Sequence, residues 1–105
     1  MAKLNMYCIF DQASAVYDRP FCALADAAAS RSFSDIAMDA EHPIGRHPEH
    51  FSLVRIGVFD DNNAVVSVED KTTIITGLEA VAAGRKIKEN QLRMFDQSLG
   101  ENGNA

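Results

Sequence analysis

The chain has 105 residues, 47% hydrophobic and 24% charged, with a formal net charge of −5. That length holds one domain with a modest core and excludes two. The apolar runs are too short to span a bilayer, and the acidic balance argues against a protein that coats DNA through bulk positive charge.

The charge is uneven along the chain. Residues 1–84 hold six Lys/Arg against twelve Asp/Glu, whereas Arg85 to Arg93 hold four against one. The expected division is therefore a single α+β domain over 1–84 and a basic helical extension with a disordered tail over 85–105. The first residues, "MAKLNMYCIF", turn strand-like at once and lack the pattern of a secretory signal, so a cytoplasmic location is expected. Cys8 and Cys22 each sit in an apolar run, where a reduced cysteine acts as a small hydrophobe.

Met6 to Phe10 is apolar on both faces and reads as a central strand. After the turn signal "DQAS", "AVYDRPFCAL" reads as a second strand, with an edge or a bulge where Pro20 removes a donor. From Asp26, a plausible N-cap, "DAAASRSFSDIAMDA" places Ala29, Phe33, Ile36, Ala37 and Ala40 at helical spacing, so one amphipathic helix should pack on the sheet. "EHPIGRHPEH" carries two His-Pro steps and a glycine and reads as loop. "FSLVRIGVF" and "AVVSV" are strands around a "DDNN" turn, whose Asp and Asn tolerate left-handed backbone. "TTIIT" is a further β segment ending at Thr76 or Gly77. "GLEAVAAGRKIKENQLRMF" then has helical composition interrupted by Gly84, and "GENGNA" reads as disordered. The sum is a small, mostly antiparallel sheet in ββαββ order with one packed helix and a C-terminal helical extension.

Chemistry is sparse. His42, His47 and His50 share one loop, but two precede proline and the spacing fits no recognised zinc pattern, so they are expected to face solvent or cap the next strand and no metal is expected. No phosphate loop, nucleophile elbow or carboxylate cluster is present, and Asp60 and Asp61 are explained by the turn. Neither catalysis nor a cofactor is expected.

The aromatic strands are more informative. By alternation, Tyr17, Arg19 and Phe21 share one face, as do Phe51, Leu53, Arg55, Gly57 and Phe59. Such a face can stack unpaired bases on its rings while arginine meets phosphate, and Gly57 would admit a base close to the backbone. The competing reading makes those rings the core beneath the helix, with arginine stems reaching past. Arg85, Lys86, Lys88 and Arg93 read either as a phosphate-contacting helix face or as a solvated basic helix end.

"RPF" at Arg19 to Phe21, "AAASRSFSD" at Ala27 to Asp35 and above all "RHPEHFSLVRIGVFDD" at Arg46 to Asp61 resemble the small nonstructural protein of gokushovirus-type microviruses, bacteriophages with single-stranded circular DNA. The resemblance runs in order over residues 4–70. Where that family has aspartate after "HPE", this chain has His50, and the region after Thr76 matches no family pattern. The resemblance implies a role in the phage DNA cycle in the host bacterial cytoplasm, usually described as DNA binding in replication or packaging. It carries no catalytic residues.

Together these readings predict a non-enzymatic binder of single-stranded DNA using Tyr17, Arg19, Phe21, Phe51, Arg55, Phe59, Arg85, Lys86 and Lys88. Small size and the edge strand near Pro20 suggest a homodimer. The alternative is an assembly factor whose acidic body meets a phage replication or capsid protein.

Overall fold

The computed structural model describes residues 3–103, with side chains described through residue 96. Its strands are β1 (Lys3–Asp11), β2 (Val16–Tyr17), β3 (Phe21–Ala23), β4 (Phe51–Asp60) and β5 (Val65–Thr76); its helices are α1 (Asp26–Ala37), α2 (Pro43–Arg46) and α3 (Gly77–Gly103). All strand pairs are antiparallel, in the order β2-β1-β4-β5, with β3 also on β1. The fold is thus α+β on a small antiparallel sheet, but three β segments, rather than two, precede α1. Pro20 divides the expected second strand, since the three residues Asp18 to Pro20 leave the ladder between β2 and β3.

The helices cover one face of the sheet. Tyr7 and Leu53 point into a core closed by Ala29, Phe33 and Ala37 of α1, Ile44 of α2 and Ala80 of α3. The periodicity of α1 therefore holds, except that Ala40 lies beyond its end and is exposed. A second helix joins it, because the first turns of α3 also pack on this face. The His-Pro loop is more ordered than expected. Proline suits the first turn of a helix, where its missing N–H costs no bond, so Pro43 opens α2 and Pro48 opens a 3₁₀ turn over Pro48–His50. This seats Ile44 in the core.

The start of α3 is fixed by a reciprocal cap: the Glu79 N–H donates to Thr76 Oγ1 (3.2 Å) and the Thr76 N–H donates to Glu79 Oε1 (3.1 Å). The helix passes Gly84 without a break. A Cβ there would collide with the Met38 side chain, so this glycine is a contact point between the end of α1 and α3. The backbone stays helical through Gly103, into the segment expected to be disordered, whose last two residues lie outside the described ones. No described helix is long and apolar enough to cross a membrane.

Candidate functional site

Among the register shifts of this sheet, two of one residue decide which of the expected aromatic and arginine side chains share a face. Between β1 and β4, Tyr7 lies opposite Arg55 but Met6 lies opposite Gly57, so Ile56 is an extra residue. A bulge of this kind reverses the alternation of everything beyond it. Phe51, Leu53 and Arg55 consequently face the helices, whereas Phe59, opposite Leu4 on β1 and Val66 on β5, faces away. The other shift lies between β2 and β3. Tyr17 is opposite Phe10 on the uncovered face, while Phe21 is opposite Tyr7 on the helix side. The single aromatic and arginine face expected from simple alternation is thereby corrected to two faces.

On the helix side the rings serve the core. Phe21 stacks on Tyr7 with centroids 5.6 Å apart, and Phe51 packs against the core cluster. Arg55 is held internally: its Nη1 lies 2.8 Å from Asp26 Oδ2, and its Nε lies 3.7 Å from Glu69 Oε1. The Tyr7 hydroxyl donates to the other oxygen of Asp26 at 2.6 Å. Asp26 is accordingly the first residue of α1 rather than its cap, which is Ala25, and its carboxylate ties helix to sheet. Burial, reinforced by the bond to Asp26, pushes the Tyr7 phenol above its ordinary range.

The uncovered face holds a different set. Tyr17 is 41% exposed, tilts against Phe10 with centroids 4.7 Å apart, and carries Lys71 Nζ 5.5 Å from its ring centroid. From Tyr17 a shallow groove of about 390 Å³ runs over Met6, Cys8, Ile56 and Gly57 to Val66 and Val68, with Glu69, Asp70 and Lys71 on its margin. Leu4, opposite Phe59, lies six residues along β1 from Phe10, opposite Tyr17, which separates the two aromatic sites by about 20 Å. Gly57 is buried in the bulge, and a Cβ there would overlap the Ser67 carbonyl oxygen; its role is to let β4 and β5 close up rather than to admit a base. Cys8 is shielded, its thiol pushed up by burial, whereas Cys22 is exposed rather than part of a core; both are free thiols.

Arg19 is exposed in the link between β2 and β3. Arg85, Lys86 and Lys88 are exposed on α3, in the helical layer rather than on the uncovered face. The structure thus brings Tyr17 and Phe59 onto one surface, leaves Arg19 at its border, and separates Phe21, Phe51, Arg55 and the α3 cations from it. Sequence reading missed Phe10 and Lys71, the partners of Tyr17; the hairpin register reveals Phe10, and Lys71 reaches the ring from β5, across the sheet.

Residues 4–81 match the model of the phage ORF5 protein family. The chain belongs to this family. No curated protein and no solved structure matches it. The matched span ends just after the cap of α3, so it takes in the sheet from Leu4 onward and α1, while the basic segment from Arg85 lies beyond the match.

Proposed function

We propose that this phage protein is a non-enzymatic binder of single-stranded DNA, acting in genome replication or packaging in the host cytoplasm, and that the uncovered sheet face is its contact surface. The observation that supports this reading is the Phe10–Tyr17 ring pair under Lys71 on an open, mainly apolar groove. Unpaired bases present apolar faces that stack on such rings, and a cation above the ring can meet the following phosphate. The span from Tyr17 to Phe59 accommodates roughly four nucleotides, at the small end of single-strand binding sites. Arg19 borders the same face, and Arg85, Lys86 and Lys88 supply a separate positive patch for the outgoing strand. With Glu69 and Asp70 on the margin, stacking carries more of the affinity than charge.

The second reading is an assembly factor that uses the same face for a phage replication or capsid protein, or for a second copy. It is favoured by the valines of β5, of which Val68 is 88% exposed, since aliphatic surface stacks poorly with bases but suits a protein interface.

Fluorescence anisotropy of a labelled single-stranded oligonucleotide at low and moderate salt separates the two. Tyr17→Ala and Phe59→Ala should each weaken binding by about 1–3 kcal/mol with the fold intact. Arg55→Ala should affect stability before affinity, because its guanidinium is held by Asp26. No saturable binding at low salt would refute the DNA reading and turn attention to protein partners.

A further inference from the structure

The His-Pro loop carries a cluster independent of the sheet face. A 3₁₀ turn has three residues per turn, so side chains three apart lie one above the other. The turn over Pro48–His50 places His47 and His50 in that relation, their rings stacked with centroids 5.6 Å apart and 21° between planes. Glu49 lies beside them, its Oε1 3.6 Å from His47 Nδ1 and 4.0 Å from His50 Nε2. One donor atom from each of the three residues falls within 4.8 Å of the others.

The geometry points to a surface site for a late first-row divalent cation, with Zn²⁺ as its representative, held by His47, Glu49 and His50 and completed by water. Two imidazoles and a carboxylate suit zinc, copper or nickel, whereas magnesium and calcium take oxygen donors. Zinc bonds of about 2.0–2.2 Å require donors roughly 3–3.5 Å apart. The gap to the observed spacing is closed by side-chain rotation alone. His47, Glu49 and His50 are 65%, 47% and 45% exposed, so their rings and carboxylate are free to swing inward.

The backbone beneath them is already fixed. The His50 N–H donates to the His47 carbonyl (3.0 Å), the His47 N–H to the Ile44 carbonyl (3.3 Å), and the Gln12 N–H to the His50 carbonyl (2.7 Å). Gly77 packs so closely on the Pro48 carbonyl that a Cβ would overlap it. Binding therefore orders three side chains on a preformed turn, which lowers the entropic cost. His42 does not take part, because its Nδ1 accepts the Ile44 N–H at 3.1 Å and caps α2. The two histidines are three residues apart, and the 3₁₀ turn that Pro48 opens brings their rings together with Glu49 beside them. An occupied site would stiffen the turn that leads into β4, whether or not the chain binds DNA.

The test is isothermal titration of the untagged full chain with Zn²⁺, combined with long-range ¹H–¹⁵N spectra of the histidine rings. The expected result is one ion per chain, with ring-nitrogen shifts at His47 and His50 and none at His42. His47→Ala and His50→Ala should each weaken binding by at least about tenfold with unchanged circular dichroism, and Glu49→Gln should weaken it less. Absence of saturable binding, or binding that survives both histidine substitutions, would overturn the proposal.

Discussion

Replacing Asp26 by alanine removes a carboxylate that joins α1 to Tyr7 and Arg55 of the sheet. Three consequences can be sized. The Tyr7 hydroxyl, on a residue with no exposed surface, loses its acceptor, and a stranded buried donor costs about 1–3 kcal/mol. Arg55 keeps only the longer contact to Glu69; because that pair is partly exposed, the lost ion pair contributes no more than about 1 kcal/mol. Removing the acidic group from the first turn of α1 costs a further 0.3–1 kcal/mol, roughly. The expected loss is therefore about 2–4 kcal/mol, or a fall in melting temperature on the order of 10 °C or more. Urea unfolding followed by circular dichroism measures it. Tyr7→Phe removes donor and demand together and should cost only about 1 kcal/mol. In that background Asp26→Ala should become cheaper, and the double-mutant cycle isolates the coupling. An Asp26→Ala cost that is equal in both backgrounds would refute the claim that the stranded phenol dominates.

The same tyrosine gives the stability a dependence on alkaline pH. The folded protein holds the Tyr7 proton more tightly than the unfolded chain does, so its contribution is complete below about pH 10 and is lost as pH rises through the folded value, with a slope of up to about 1.4 kcal/mol per pH unit. Tyr7→Phe should flatten that limb. At the acid end, the Thr76 backbone and side-chain bonds hold the Glu79 carboxyl below its ordinary range. Its contribution is present above the unfolded value and fades as pH falls through the folded one, so Glu79→Gln should reduce the acid sensitivity seen in melts between pH 5 and 3, approximately. In the β4–β5 turn it is Ala64, not Asn62 or Asn63, that takes positive φ, at 62°. Ala64→Gly should raise stability by a few tenths to about 1 kcal/mol and Ala64→Val should lower it; a neutral valine would show that the turn does not hold this backbone in solution.

Much of the fold was legible because it follows from local periodicity. The 3.6-residue spacing of Ala29, Phe33 and Ala37 marks the buried stripe of α1, and the apolar run from Met6 to Phe10 marks a strand with neighbours on both edges. The start of α3 was also written in the chain, as a threonine followed three residues later by glutamate. What local pattern cannot carry is register. Alternation assigns faces correctly only while a strand has no extra residue, and here Ile56 in β4 and the Pro20 link between β2 and β3 each contribute one. Nothing about isoleucine announces a bulge. The nearby signal was Gly57, read as room for a ligand when a glycine inside a strand equally marks close approach of a neighbouring backbone, in this case the Ser67 carbonyl.

Those two shifts have a functional consequence that outweighs their size. Had alternation held, Phe51, Arg55 and Phe59 would have formed one surface and the helices would have had to choose between covering it and leaving it free. The bulge lets the sheet do both. It commits Phe51 and Arg55 to the helices, where Arg55 neutralises Asp26, and turns Phe59 out to join Tyr17 on the uncovered side. One face of the sheet is buried under the helices, and the other carries exposed aromatic and aliphatic side chains, Tyr17, Val66 and Val68 among them. Substitutions at Tyr17 and Phe59 discriminate between the two proposed uses of this face, stacking of bases and docking of an apolar protein surface. Base stacking depends on the flat rings and is lost with alanine at either position, while an aliphatic interface centred on Val66 and Val68 tolerates those changes and fails instead when the valines become charged.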